Sequence, residues 1–233
     1  MKKIKLLILG ITLTLSTSTF ANVAEVYTWK AFPGKTTDMM QNMARAAAIH
    51  ESQGAKVAIN AHNVGSTQLY DYVLRWDDSA SYAKSKDLQA SSPEWVEFWA
   101  ESGNNPSGEL IKSFSGNNLD TTVKASDYDG SYVYSVSLWK VNPGKDMEMI
   151  ARFMEAKSIL EAAGARVELF SGGWGAVGEY HFVLMYDSWV DLENSFSKMG
   201  PGSAWSSYME KSASQEVIGT QTDYFTGQTV QLN

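Results

Sequence analysis

The motif Trp-Lys-x-x-Pro-Gly-Lys begins at Trp29 and again at Trp139. That offset of 110 positions then holds without a gap. Gly54-Ala55-Lys56-Val57 falls on Gly164-Ala165-Arg166-Val167, Tyr70 to Asp77 falls on Tyr180 to Asp187, and Trp95 falls on Trp205. Roughly a quarter of the aligned positions are identical, so the chain is an internal duplication and its fold must use one unit twice.

Each repeat carries the same order of elements. Val23 to Lys30 is rich in β-formers and predicts a strand, which Pro33-Gly34 turns. Thr36 to Gln53 predicts a helix, because Met39, Met43, Ala46 and His50 fall on one stripe, as do Met149, Phe153, Ala156 and Leu160 in the twin. Gly54 and Gly164 stand where a helix ends. Lys56 to Val64 and Gln68 to Trp76 read as a hairpin turning near Gly65-Ser66, and Arg166 to Phe170 with Val177 to Tyr186 as its twin. A second helical region follows Asp77-Asp78-Ser79 and Asp187-Ser188 and restarts at Ser92-Pro93, with serine as cap and proline in the first turn. Glu109 to Ser115 and Glu216 to Phe225 are the expected last strands. The boundaries are then 22–115 for the first repeat, 116–130 for a polar linker, 131–226 for the second repeat and 227–233 for a tail.

The order β-α-β-β-α-β is the ferredoxin-like arrangement, so the class is α+β. Tyr180, Phe182, Leu184 and Tyr186 line one face of their strand, while Val183 and Met185 make the other face apolar too. A strand apolar on both faces is covered on both. Helices cover one; the other repeat's sheet covers the second, with the sheets face to face as an intramolecular α/β barrel. This order, the Trp-Lys-x-x-Pro-Gly-Lys turn and the Ser92-Pro93-Glu94-Trp95 restart resemble the dimeric α/β-barrel superfamily in its tandem, single-chain form. Antibiotic-biosynthesis-monooxygenase-like and stress-responsive barrel proteins are members. The resemblance covers nearly the whole chain after residue 21. It implies a ligand site in a cleft between helices and sheet. Its members include haem enzymes, cofactor-free monooxygenases and isomerases, and proteins without known activity. The haem-binding members use a histidine from a later helix, which neither repeat has, so no cofactor is expected.

Residues 1–21 read as a secretory signal peptide. Lys2, Lys3 and Lys5 precede the apolar run Leu6 to Leu15, and Thr19-Phe20-Ala21 is a small-x-small cleavage site. The run is too short to span a bilayer, which needs about 20 apolar residues. The expected location is periplasmic or secreted, with no membrane association after cleavage. The acidic net charge of -7 and the lack of a basic patch argue against nucleic acid as a partner. The chain has no cysteine, which excludes thiol nucleophiles and Cys-ligated zinc.

Candidate site residues come from differences between the twins. Asn60, His62, Asp71 and Arg75 gather on one face of the first hairpin, with Asn60 across from Asp71. Their twins are Phe170, Gly172, His181 and Met185. This first-repeat cluster is the candidate catalytic group; a solvated Asp–Arg pair at a sheet edge is the alternative. His50 replaces Leu160 on the inner stripe and is either a ligand contact or a satisfied core histidine. Trp76, on one strand face with Tyr70, Tyr72 and Leu74, and Trp174, in the Gly-rich tip Ser171 to Gly175, complete the candidate ligand contacts. No metal-spaced cluster, phosphate loop or Ser-His-Asp order is present. The expected function is an exported protein binding a small apolar or aromatic molecule. The alternatives are a cofactor-independent monooxygenase or isomerase, and a structural or interaction module using the Trp174 tip. Oligomeric state is left open. N-terminal sequencing of exported protein should read from Asn22; a start at Met1 would refute the signal peptide.

Overall fold

A computed structural model describes residues 21–66 and 68–231. The signal peptide lies outside these residues except for Ala21. The first repeat comprises β1 (Ala21–Ala31), α1 (Thr36–Ser52), β2 (Lys56–His62), β3 (Leu69–Asp78), α2 (Ser79–Ala90), α3 (Pro93–Asn104) and β4 (Gly108–Asn118). A 3₁₀ turn (Ala125–Tyr128) leads to the second repeat. This comprises β5 (Val133–Val141), α4 (Asp146–Ala163), β6 (Arg166–Gly172), β7 (Glu179–Tyr186), α5 (Trp189–Ser197), α6 (Ala204–Ala213) and β8 (Gly219–Thr229).

The helix boundaries follow local chemistry. Asp78 caps α2 by accepting from Ser81 N at 2.7 Å, and Ser92 caps α3 by accepting from Trp95 N at 3.2 Å, with Pro93 in the first turn. Ser188 and Ser203 do the same for α5 and α6. Gly164 closes α4 at φ 110°, a left-handed conformation that suits glycine.

The strands form one closed antiparallel barrel in the order β1-β3-β2-β8-β5-β7-β6-β4. Each repeat supplies a four-stranded sheet, and the sheets face one another across a shared interior. Two seams join them edge to edge. Gly116, Asn117 and Asn118 of β4 pair with Gly172, Ser171 and Phe170 of β6. Asn60, Ala61 and His62 of β2 pair with Thr229, Gln228 and Gly227 of β8. The last strands therefore run past the sequence-based ends at Ser115 and Phe225, and β8 begins at Gly219 and not at Glu216. Gly, Asn, Gln and Thr residues assigned to linker and tail are the ones that close the barrel. Their strand character comes from backbone pairing with the other repeat.

Side chains alternate across this wall. Tyr72, Leu74 and Trp76 face outward and pack with Met39, Met43, Ile49 and Phe98 beneath the helices. The second repeat matches this with Phe182 and Leu184 against Met149, Phe153 and Leu160. A third cluster fills the barrel itself: Ala24, Phe114, Tyr134, Val136, Phe170, Met185 and Phe225, with Val183 packed against it. Val183 and Met185 thus occupy the face that the sequence assigns to the other repeat. The linker is not merely a polar spacer, for Tyr128 is buried in the same cluster. No helix among the described residues is long and apolar enough to cross a membrane.

Residues 131–233 expressed alone should self-associate. They would expose the β6 and β8 edges together with Val136, Phe170, Met185 and Phe225. A monodisperse, folded monomer in analytical ultracentrifugation would count against the shared interior.

Candidate functional site

Beneath α1 and α3 lies a cleft of about 320 Å³. Trp29, Met39, Met43, Trp95, Phe98 and Trp99 wall it. The aromatic cap is a consequence of helix spacing: Trp95, Phe98 and Trp99 stand at i, i+3 and i+4 and share one face. Trp95 stacks on Phe98 at 5.2 Å and meets Trp99 edge to face at 5.6 Å.

Asn42, Ser102 and Ser107 interrupt this wall at one side, and the group centred on His50 interrupts it beside the aromatic cap. His50 projects from α1, 4% exposed, with Nδ1 2.8 Å from Tyr72 Oη and Nε2 2.7 Å from Gln89 Nε2. With the Gln89 amide donating, Nε2 is the acceptor and the imidazole proton rests on Nδ1, donated to Tyr72 Oη. The Tyr72 hydroxyl hydrogen is then available to a bound molecule. Burial, with the Lys86 charge adding to it, lowers the His50 pKa to about 4, so the ring is neutral at pH 7. Burial likewise raises the Tyr72 pKa well above that of a free phenol.

The second repeat has a larger cleft of about 660 Å³ in the twin position. Trp139 and Trp205 line it as Trp29 and Trp95 line the first. Its wall carries Leu160, Phe182 and Met199 where the first cleft has His50, Tyr72 and Gln89. All three polar groups have apolar twins.

Asn60, Asp71 and Arg75 lie on the other side of the sheet. They line a void of about 280 Å³ inside the barrel, with Tyr132, Tyr134 and His181 among the other lining residues. The structure corrects the alternative of a solvated Asp–Arg pair: Asp71 is 6% and Arg75 8% exposed, and they form no ion pair with each other. Asp71 Oδ1 accepts from Thr28 Oγ1 at 2.6 Å. His62 Nε2 lies 2.8 Å from Asp71 Oδ2 but off the line of a hydrogen bond, and Nδ1 has no partner. The His62 ring stacks on Phe225 at 4.0 Å. In the other half His181, the twin of Asp71, stacks on Phe114 at 3.6 Å, and burial lowers its pKa to about 3.

The structure does not bring all the candidate residues together. His50 is on the cleft side of the sheet, and Asn60, His62, Asp71 and Arg75 are on the barrel side. Trp76 is 2% exposed, edge to face with Tyr82 at 5.0 Å, and lines none of these cavities. Trp174 is 88% exposed at the β6–β7 tip and lines none either. Among the described residues no cluster of His, Asp or Glu is arranged as metal ligands. Tyr72 and Gln89 were missed as partners of His50, although comparing the twins position by position would have found Phe182 and Met199 opposite them. Lys112 and Asp223 were also missed. They pair at 2.9 Å at the barrel mouth, and both stand in last strands that lack an alternating apolar pattern.

No protein-family profile and no curated protein sequence matches the chain. Solved structures do match in fold. A candidate monooxygenase from Fusobacterium nucleatum superposes with a TM-score of 0.59 at 13% identity, covering 91% of this chain and 93% of that one. A candidate monooxygenase from Lactobacillus acidophilus gives 0.56 at 9% identity, covering 90% and 93%. An anthrone oxidase-like protein gives 0.56 at 12%, covering 91% and 92%. The chain shares their tandem ferredoxin-like fold over nearly its whole described length.

The two depressed histidines predict acid sensitivity. A base whose folded pKa lies below its free value of about 6.5 stays neutral in the fold while the unfolded chain takes up its proton. Stability should therefore fall as pH drops from 6.5 towards 4, by up to about 3 kcal/mol for His50. Urea titrations of wild type and His50→Leu should show a shallower loss in the variant over that window. Parallel curves would remove His50 as a cause.

Proposed function

We propose that the protein is exported and binds a small aromatic molecule in the first-repeat cleft. The molecule carries one polar substituent, a hydroxyl or carbonyl, set against Tyr72 and His50. The observation that carries this reading is the threefold difference between the twin clefts: His50, Tyr72 and Gln89 against Leu160, Phe182 and Met199. Both clefts kept their tryptophans, so both remain apolar and roomy. Only the first has a hydrogen-bonded His–Tyr–Gln group at these three positions, and such a group can fix a ligand's orientation; the polar lining of the second, Arg152 and Glu216 among it, lies elsewhere. Export rests on Lys2, Lys3, Lys5 and the Leu6 to Leu15 run.

A second reading, a cofactor-independent monooxygenase or isomerase, is favoured by the state of His50. A neutral imidazole beside an apolar void can take a proton from a phenolic or enolic substrate at Nε2, its unprotonated nitrogen, with the Gln89 amide moving aside to make room there. The names of the similar structures point to the same class of chemistry and suggest an anthrone as a trial substrate. The polar cluster in the barrel, His62 with Asn60, Asp71 and Arg75, is separated from this cleft by the sheet and has no part in either version. The interaction-module reading is left with the exposed Trp174 alone.

Native mass spectrometry of protein purified from its own compartment should find a retained aromatic ligand. The triple variant His50→Leu, Tyr72→Phe, Gln89→Met copies the second cleft. Replacing a whole buried polar network by apolar groups of similar size is nearly neutral, so it should fold and melt within a few degrees of wild type. It should lose ligand at least tenfold. His50→Leu alone should cost about 1–3 kcal/mol, because it strands Tyr72 Oη and Gln89. A triple variant that retains the ligand would refute the site. Oxygen uptake with an anthrone by wild type and not by the triple variant would favour the enzyme over the binding protein.

A further inference from the structure

We infer that the barrel interior is a second ligand site, one that takes a small organic acid with its carboxylate on Arg75. Arg75 is 8% exposed, and its guanidinium has no hydrogen bond or ion pair among the described residues. Its Nε is fully buried and unpartnered. The ring of Tyr128 lies 4.1 Å from its Cζ. A guanidinium is always charged and keeps its donors in a planar fork matched to a carboxylate. Burying one without an anion is unfavourable unless something supplies the anion.

The nearby acids are already engaged. Asp71 accepts a hydrogen bond from Thr28 at 2.6 Å, and the His62 ring lies against its other oxygen. Glu168 is held by Arg166 at 2.7 Å and Asn118 at 2.6 Å. Asp223 pairs with Lys112 at 2.9 Å. Arg75 has no carboxylate within ion-pair distance among the described residues, and it borders, together with Asp71, a void of about 280 Å³.

The rest of the void describes the ligand. The Tyr134 hydroxyl is buried, without a partner, and available to donate to a carboxylate beside Arg75. Val26, Val73, Phe114, Val136 and Phe225 supply an apolar wall. An inorganic anion would leave that wall bare, whereas a benzoate-sized acid fills it. The twin of Arg75 is Met185, so the charge is specific to one side of the interior. Entry is past the Lys112–Asp223 pair, whose side chains are 39% and 35% exposed at the barrel mouth. This site is independent of the cleft, since the sheet wall lies between them.

The test is a thermal-shift and calorimetric titration of the full exported chain with benzoate, with acetate and inorganic phosphate as comparisons. Benzoate should stabilise wild type, acetate and phosphate much less. Arg75→Met, which copies Met185, should bind benzoate at least tenfold more weakly while melting no lower than wild type without ligand. The triple cleft variant should bind benzoate as wild type does. Equal binding by Arg75→Met, loss of binding in the cleft variant, or equal stabilisation by all three anions would each overturn the proposal. Should Arg75→Met fail to fold, the ¹⁵N resonance of Arg75 Nε in wild type decides: it should shift on adding benzoate, and an unmoved resonance overturns the site.

Discussion

Everything in this molecule depends on the two short ladders where one repeat's last strand meets the other repeat's hairpin. Without the pairing of β4 with β6 and of β2 with β8, each sheet would have open edges and an apolar inner face in water. Both ladders demand close approach. A Cβ on Gly116 would stand 2.6 Å from the carbonyl oxygen of Ser171, and one on Gly227 would stand 2.6 Å from that of Ala61. Glycine at both places is the condition for closure. Closure in turn sends alternate side chains into a shared interior, and leaves the opposite set to meet the helices.

The barrel wall thereby divides the chemistry of the chain into separate compartments. The two faces of β3 illustrate this, with Tyr72 in the aromatic cleft and Asp71 and Arg75, its near neighbours in sequence, inside the barrel. In both compartments particular polar residues of the first repeat have apolar twins: His50, Tyr72 and Gln89 in the cleft, and Asn60 and Arg75 in the barrel. Such groups survive burial when they are paired or used. His50, Tyr72 and Gln89 are paired with one another, ready for a partner in the cleft. Arg75 has the face of Tyr128 but no carboxylate partner among the described residues.

Much of the architecture was legible because duplication lets each half check the other. The helix stripes, the Ser92-Pro93 restart and the register of Asn60 against Asp71 could be read from spacing, and Val183 and Met185 pointed to the shared interior. The seams could not be read. Residues 116–118 and 227–229 have turn-like composition, and their strand conformation is imposed by partners far away in sequence. The same limit applied to the site. That His62 and Asp71 belong together follows from hairpin register, but which side of the sheet is the cleft side depends on where the helices pack. His50 was singled out by its own side chain. Its partner Gln89 was not, because α2 carries no apolar stripe strong enough to orient it.

Lys112 and Asp223 occupy matching places in β4 and β8 and meet at the barrel mouth. In a barrel made from two identical chains, matching places hold identical residues, so a symmetric pair there would set lysine against lysine or aspartate against aspartate. Covalent fusion of the halves removes that restriction. Each half can then carry the charge that the other lacks, and attraction replaces a repulsion that symmetry would have made unavoidable. The ion pair also distinguishes right from wrong assembly: two first halves or two second halves brought together would place like charges face to face, whereas the native partnership does not. A single linked chain is thus free to become chemically one-sided. The Leu160, Phe182 and Met199 that stand where the first cleft has His50, Tyr72 and Gln89, and the methionine opposite Arg75, are further uses of the same freedom.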